Sequence, residues 1–313
     1  MASRYAAFDI GTVTCRALVA DASATTFDTL YKGYGITNLG EGVDATGTLK
    51  PEAIKRVLDQ IDQYLVEVES LKDAQHPEVE IVAMATSAAR DAQNASDLTS
   101  ELEKRGISLK VIPGSREAAL TFLGAAQTYL GQNILVVDIG GGSTELVAGV
   151  GGQEPEHSHS FNIGCRRVTE KFLHVDPPAP EQMAQAKEWM KEQFVTFFAQ
   201  LQEKGISIHK VVAVAGTATT VVSIREKMAV YDSSRVQGAR VSFQDLESVK
   251  RQLESVPLEQ RQQIVGLDPG RAPVIVAGML ILETVLELAG VDCYFASESD
   301  ILQGIILDAV ATE

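Results

Sequence analysis

The feature that most constrains the fold of this chain is a short motif that occurs twice. FDIGTVTCRALVA begins at Phe8, and VDIGGGSTELVAG begins at Val137. In each copy an apolar run ends in Asp-Ile-Gly, a polar turn follows, and a second apolar run continues, which is typical of a strand–turn–strand unit. The spacing of the two copies is that of a domain and is much too long for a solenoid repeat. The sequence therefore predicts two related halves whose Asp-Gly turns meet at one cleft.

Strand-like and helix-like segments alternate along much of the chain, which favours α/β architecture. Apolar residues at helical spacing follow Pro51 and predict a helix over residues 51–69. The same pattern predicts helices over 115–131 and 271–290, whereas residues 79–86 have the character of a strand. The length of 313 residues corresponds to about two domains.

Charge and cysteine content restrict the classes of partner. The formal net charge of −15 argues against general binding to DNA, RNA or membranes, so an anionic substrate would need local arginines or a metal cation. Cys15, Cys165 and Cys293 form no CxxC pair, and such an odd, low number fits a reducing compartment. The N-terminal MASRYAAF lacks the pattern of a secretory signal. We therefore expect a cytoplasmic protein.

The second copy of the motif has the composition of a phosphate-and-metal turn. It does not match the dinucleotide fingerprint, because Glu145 occupies the sixth position and a strand follows. Glycines let backbone N–H groups approach an anion, and Asp138 and Glu145 are oxygen ligands suited to Mg²⁺. A glycine-rich hairpin with solvated carboxylates is the structural alternative. The candidate phosphate contacts of the two turns are Gly11, Thr12, Gly140, Gly141, Gly142, Ser143 and Thr144.

Several stretches together resemble one known family. They are DIGT near the N-terminus, ATSAARDA (85–92), VIPGSREA (111–118), VVDIGGGSTEL (136–146), NIGCRRVTEKF (162–172), GTATT (216–220) and LDPGRAPVIVAGMLIL (267–282). In this order they resemble the exopolyphosphatase / guanosine pentaphosphate phosphatase (Ppx/GppA phosphatase) family in its short, two-domain form. The resemblance covers almost the whole chain.

The resemblance implies a fold and a domain organisation. The family has the sugar kinase / heat-shock / actin ATPase superfold, which implies two ribonuclease-H-like α/β lobes with an inter-domain cleft. We expect one lobe over residues 1–118 with a returning C-terminal helix at 300–313, and the other over 119–299.

The resemblance also implies an activity and its residues. It implies removal of the terminal phosphate from inorganic polyphosphate, from guanosine pentaphosphate or from both, by in-line attack of water. Glu117 matches the catalytic glutamate, and Arg90 matches an arginine near the substrate phosphates. Mg²⁺ is the expected cofactor, with Asp138, Glu145 and Asp9 as its candidate ligands. Mn²⁺ and a monovalent cation are further options, and the oligomeric state is left open, with a homodimer as one alternative.

The chain departs from the family pattern at three places. Val13 replaces an amide side chain in the first turn. The usual Glu-Glu-Ala-Arg has Arg116 for its first acid and Ala119 for its arginine, and Arg116 is a candidate to replace that lost charge. The usual Gly-Leu-Arg-Glu-Gly has Leu302 and Gln303 for its charged pair. These changes leave the choice of substrate open.

Three functions are compatible with these observations. The first is a Mg²⁺-dependent phosphohydrolase acting on polyphosphate or guanosine pentaphosphate. The second is a nucleotide-dependent kinase or ATPase of the same superfold, with Ala215–Thr219 as an adenosine-contacting turn. The third is a non-catalytic phosphate or nucleotide sensor, which the three departures suggest. The segment around Glu117 favours the first.

Overall fold

The computed structural model describes residues 2–312. The strands are β1 (Ser3–Ile10), β2 (Thr14–Ala22), β3 (Phe27–Ile36), β4 (Glu80–Ala85), β5 (Leu109–Val111), β6 (Asn133–Ile139), β7 (Thr144–Val150), β8 (His157–Phe161), β9 (Lys210–Val214), β10 (Arg240–Ser242) and β11 (Cys293–Ala296). The α-helices are α1 (Val43–Thr46), α2 (Pro51–Ser70), α3 (Ser87–Asp91), α4 (Ala95–Glu103), α5 (Gly114–Ala125), α6 (Cys165–Phe172), α7 (Pro180–Glu203), α8 (Ala215–Arg225), α9 (Ser233–Val236), α10 (Phe243–Glu254), α11 (Leu258–Arg261), α12 (Ile275–Ala289) and α13 (Ile301–Thr312).

The chain divides into two compact units. The first contains the chain up to Gly124 together with the segment from Ile301 onward, and the second contains Ala125–Asp300. The boundary between the first and the second unit thus falls after Gly124, near the end of α5, whereas the sequence analysis places it after residue 118. Leu120 on α5 packs in an apolar cluster of the first unit, which explains why the helix belongs there along almost its whole length.

The first unit is built on a five-stranded sheet of order β3-β2-β1-β4-β5. β1 pairs antiparallel with β2 and parallel with β4, so the sheet is mixed. Alternate side chains of a strand point to opposite faces. One face packs against α2 and α4, and the other packs against α13. The predicted helix after Pro51 and the predicted returning C-terminal helix therefore cover opposite faces of the same sheet.

The second unit repeats this topology with one additional strand. Its sheet has the order β10-β11-β9-β6-β7-β8. The β6–β7 hairpin is antiparallel and β6 is parallel to β9, which corresponds to the arrangement of β1, β2 and β4. The apolar helix α12 packs against α6, α7, α8 and α10. The predicted α/β fold with two ribonuclease-H-like lobes, as in the actin ATPase superfold, is confirmed.

Some elements differ from the sequence predictions. The predicted helix over 271–290 begins only at Ile275, because Pro273 disfavours helical backbone at the residue before it. The helix predicted over 115–131 ends at Ala125 and continues as a short 3₁₀ turn. The sequence analysis missed α6 and α10. The capping box of Ser242 and Asp245 at the start of α10 is a local signal that would have revealed that helix.

Within residues 2–312, no helix combines the length and apolar composition required to cross a lipid bilayer. The apolar helix α12 carries Glu283, which is buried and lies 2.7 Å from the ammonium group of Lys250. A charge buried in this way is paired, as the cost of desolvation requires. The cytoplasmic location stays a prediction.

Candidate active site

In the first unit, three segments meet where parallel strands end. β1 ends at Ile10, β4 at Ala85 and β5 at Val111. The N–H of Thr86 donates to the Ile10 carbonyl at 3.3 Å, and the N–H of Ile112 donates to the Ala85 carbonyl at 3.0 Å. The segments after the three strands are therefore neighbours. Open α/β sheets bind their ligands at this edge.

Glu117 lies at this edge, in the first turn of α5. Glu117 is only 8% exposed, so its carboxylate needs a polar partner. Arg90, at the end of α3, donates from Nη1 to Glu117 Oε2 at 3.2 Å and to the carbonyl of Ile112 at 3.1 Å. The structure therefore brings together two residues that the sequence analysis had proposed separately. Arg90 orients the carboxylate of Glu117.

The first Asp-Gly turn is held by backbone contacts with the segment after β3. Gly40 donates its N–H to the carbonyl of Thr12 at 2.9 Å. Thr37 and Asn38 both donate their N–H groups to the carbonyl of Val13, at 3.0 and 2.9 Å. The Val13 side chain is buried. This turn is therefore fixed through main-chain atoms, which explains how it accommodates a valine at this position.

Asp9 forms an ion pair across the first hairpin. It lies opposite Arg16 in the register of β1 and β2. Arg16 donates from Nη2 to Asp9 Oδ2 at 2.6 Å and from Nε to the same oxygen at 3.0 Å. An arginine that neutralises this carboxylate makes Asp9 a poorer metal ligand than its sequence motif suggested. The sequence analysis missed Arg16, although hairpin register alone would have placed it opposite Asp9.

The second hairpin carries two carboxylates at the matching positions. Asp138 lies opposite Glu145 in the register of β6 and β7, so both side chains project from one face of the sheet. Ser160 donates its hydroxyl to Glu145 Oε1 at 2.6 Å. Two carboxylates at directly opposed positions on one face of a sheet are close enough to bind one cation together. The donor set of two carboxylates fits Mg²⁺, which keeps several of its waters in protein sites.

The described residues, 2–312, contain no larger cluster of metal-ligating side chains than a pair. Among residues 2–312 no group of three or more His, Cys, Asp or Glu is arranged to hold a metal ion. Two histidines that alternate on β8, His157 and His159, pack against the rings of Phe197 and Phe161, at centroid distances of 4.8 and 4.3 Å. The pair Asp138 and Glu145 is therefore the best candidate for a metal site in the second unit.

The N-terminus of α6 holds the glycine turn of the second hairpin. The N–H groups of Cys165 and Arg166 donate to the carbonyls of Gly140 and Gly141, both at 2.9 Å. A side chain at Gly164 would place its Cβ 2.3 Å from the carbonyl oxygen of Gly141. Only glycine allows this approach. The helix thus fixes the orientation of the turn.

The polar side chains of this turn have different environments. Thr144 is fully buried and donates its hydroxyl to the carbonyl of Ile163 at 2.5 Å. Its hydroxyl therefore has a structural partner, and we leave Thr144 out of the proposed phosphate contacts. Arg167 donates from Nε to the carbonyl of Gly142 at 2.9 Å, and burial lowers the pKa of its guanidinium. Ser143 is also buried.

A further arginine lies at the same edge of the second sheet. A Cβ added at Gly216 would lie 1.7 Å from Nη1 of Arg271, so the guanidinium rests directly on the glycine backbone. The preceding Ala215 has a left-handed φ of 61°, which is unusual for alanine. The sequence analysis did not assign Arg271, because only the folded chain brings it to Gly216.

Comparison with known proteins identifies the family. The model of the Ppx/GppA phosphatase family matches residues 18–313. The chain belongs to this family. It is 35% identical over 322 residues to exopolyphosphatase 2 of Mycobacterium tuberculosis, a match that covers 97% of this chain and 98% of that protein. A crystal structure of an exopolyphosphatase-like protein has a TM-score of 0.89 and 32% identity, and covers 98% of each chain.

Another relative of this Ppx/GppA family member is a longer protein. The chain is 35% identical over 320 residues to the bifunctional 3-dehydroquinate synthase/phosphatase of Fusobacterium nucleatum. That match covers 97% of this chain but 46% of the relative. The chain thus spans less than half the length of that protein.

The residues of α5 and α13 that depart from the family pattern have their own contacts within the first unit. Arg116 forms an ion pair with Asp308 on α13. Its charge is thus used between two helices, and we no longer expect it to replace the arginine absent at Ala119. Leu302 packs in the apolar cluster on the α13 face of the sheet, where an arginine would be poorly solvated. Gln303 is also buried.

Proposed function

We propose that this protein is an exopolyphosphatase, which hydrolyses the terminal phosphoanhydride bond of inorganic polyphosphate. The observation that carries the proposal is the Glu117–Arg90 pair at the carboxyl edge of the first sheet. The relative in Mycobacterium tuberculosis that matches over almost the whole of both chains is named an exopolyphosphatase, which supports the same substrate class.

In the proposed reaction Glu117 acts as the general base. Its carboxylate accepts a proton from a water molecule while the water oxygen attacks the terminal phosphorus in line. The bridging P–O bond breaks, orthophosphate is released, and the shortened polyphosphate leaves with the bridging oxygen. Such transfers depend on positioning and charge neutralisation. Arg90 supports the first of these by orienting Glu117.

The remaining proposed site residues bind the phosphates or a cation. Gly11 and Thr12 in the first turn, and Gly140, Gly141, Gly142 and Ser143 in the second, are the proposed phosphate contacts. Asp138 and Glu145 would hold Mg²⁺, which when bound neutralises charge on phosphate oxygens. Asp9 we assign to orienting Arg16, because their ion pair is already formed.

Phosphate release from four substrates tests this proposal. Triphosphate, long-chain polyphosphate, guanosine pentaphosphate and ATP are incubated separately with the protein and Mg²⁺, with Glu117→Gln as the matched control. We expect release from polyphosphate without added nucleotide, and little release by the variant. Absence of release from both polyphosphates would refute the proposal. Release from ATP alone would instead support an ATPase.

A further inference from the structure

The edge strand β3 divides its side chains between the two faces of the first sheet. Gly33 and Gly35 face α2, since an added Cβ would lie 2.4 Å from Tyr64 Cε1 and 2.0 Å from Gln60 Oε1, respectively. Because side chains alternate along a strand, the intervening Tyr34 projects from the opposite face.

Tyr34 continues a row of side chains that begins at Asp9. Asp9 lies opposite Arg16, and Arg16 lies opposite Tyr34, in the registers of the two neighbouring strand pairs. Adjacent strands are about 4.8 Å apart, so the Cα atoms of Asp9 and Tyr34 are roughly 10 Å apart. The row therefore leads from the Asp-Gly turn to the edge of the sheet.

The outer part of this row is accessible. Tyr34 is 46% exposed, and Lys32, two positions earlier on the same face, is also exposed. Helix α13 packs over β1 and β2 on this face. The side chain of Arg16 is half-buried beside Asp9, whereas Tyr34 and Lys32 are exposed residues.

These three side chains offer the groups that bind phosphate oxygens. A guanidinium, a phenol hydroxyl and an ammonium group are all hydrogen-bond donors. The Arg16 guanidinium shares its charge with Asp9, to which Nε and Nη2 donate, so Lys32 supplies the cation that extends the row beyond this ion pair. In a chain with a net charge of −15, such a local group of donors is needed to hold a polyanion. A linear phosphate chain whose end occupies the Gly11 turn has the shape to lie along this row.

We propose that Arg16, Tyr34 and Lys32 form a distal phosphate subsite, which binds units of the polyphosphate chain behind the one that is released. This inference rests on the proposed function, since it takes polyphosphate as the substrate. The subsite makes affinity depend on chain length: long polyphosphate reaches Tyr34 and Lys32, whereas triphosphate is held mainly near the turn.

Kinetics with matched variants test the subsite. Lys32→Gln and Tyr34→Phe are compared with Lys55→Gln on α2 and Tyr31→Phe on the opposite face of β3. We expect Lys32→Gln to raise KM for long polyphosphate roughly 2–5-fold more than KM for triphosphate, the range of one exposed charge interaction. Tyr34→Phe shifts the same ratio in the same direction. The two control variants leave the ratio at the parent value.

A binding experiment separates failure of the subsite from failure of the proposed function. Calorimetry measures the affinity of the Glu117→Gln protein, with and without Lys32→Gln, for long polyphosphate and for triphosphate. A loss confined to the long chain supports the subsite even if the parent protein hydrolyses neither compound. An unchanged affinity, or an equal loss for both lengths, overturns it.

Tyr34→Phe and a further variant, Tyr34→Ala, test whether a nucleoside occupies this site instead. If Tyr34 stacked on a guanine base, Tyr34→Phe would bind guanosine pentaphosphate as the parent does, and Tyr34→Ala would lose affinity for that compound alone. That result would overturn the assignment of the row to a phosphate chain.

Discussion

Arg90 Nη1 lies 3.2 Å from Glu117 Oε2 and 3.1 Å from the carbonyl oxygen of Ile112. One nitrogen thus joins the proposed base to the backbone at the end of β5. The contact holds Oε2 of the carboxylate near the end of β5. A general base must be held in this way before it can accept a proton efficiently.

Replacing Glu117 by Gln tests the base directly. The amide has almost the same shape and still accepts a hydrogen bond from Arg90, so we expect the fold to be kept. The turnover rate kcat for polyphosphate should fall by about 10²–10⁴, the usual contribution of a positioned base. Circular dichroism checks the fold and phosphate release gives the rate. Parent-like turnover would remove Glu117 from this role.

Replacing Arg90 by Lys tests whether the way in which Arg90 orients Glu117 contributes to the reaction in addition to the positive charge of Arg90. Lysine keeps the charge, but its ammonium group sits on a flexible stem and lacks the planar guanidinium that fixes the direction of the two bonds from Nη1. We expect kcat/KM for triphosphate to fall roughly 10–100-fold, as for loss of a hydrogen bond to a charged group. Lys55→Arg on α2 is the matched exchange at an exposed site. If Arg90→Lys retains the parent rate, charge alone is sufficient.

Replacing Asp138 by Asn tests the proposed cation site. Loss of one carboxylate ligand should raise the Mg²⁺ concentration needed for half-maximal activity by roughly tenfold or more, since even outer-shell changes reach this size. Asp9→Asn is the informative comparison, because Arg16 already neutralises Asp9. We expect a smaller shift there. Equal shifts in a magnesium titration would return Asp9 to the set of metal ligands.

Replacing Gly304 by Ala tests the packing of α13. Alanine normally stabilises a helix interior by about 1 kcal/mol relative to glycine. Here the new Cβ would lie 1.9 Å from the carbonyl oxygen of Leu120 on α5. We expect the clash to prevail and the free energy of unfolding to fall by roughly 1–3 kcal/mol. A higher urea midpoint in the variant would contradict this close contact.

The stability of the protein in acid tests the environment of Asp73. Its Oδ1 accepts hydrogen bonds from the N–H groups of His76 and Gln75. The bond from the His76 N–H is the largest cause that lowers the pKa of Asp73. The bond from Gln75 and the nearby Arg4 act in the same direction, and the pKa falls to about 2. The unfolded value is near 3.9, so the stabilisation is complete above that pH and is lost as pH falls toward 2. The stability difference between the parent and Asp73→Asn should therefore shrink over this window.

Urea unfolding at several pH values from 5 to 2 provides the measurement. Asp28→Asn, at an exposed position on β3, controls for the general loss of one negative charge. A stability difference for Asp73→Asn that stays constant across the window would contradict the lowered pKa.

The sequence alone determined the duplicated architecture and the family. The two Asp-Ile-Gly motifs set two matching hairpins, because the residues of a hairpin are close in the chain and their alternation fixes strand register. The same local information predicted the helix after Pro51, and the register of the second hairpin is sufficient to put Asp138 opposite Glu145. Family motifs supplied Glu117 and Arg90 individually.

Only the tertiary structure decided which of these groups meet. The Glu117–Arg90 contact requires α3 and α5 to pack at one edge of the first sheet, and the contact of Arg271 with Gly216 requires a turn to fold back on α8. The contact of the α6 N-terminus with the glycine turn is of the same kind. Such contacts join segments far apart in the chain, so local patterns do not encode them. They follow from the burial of apolar faces, which sets how the elements pack.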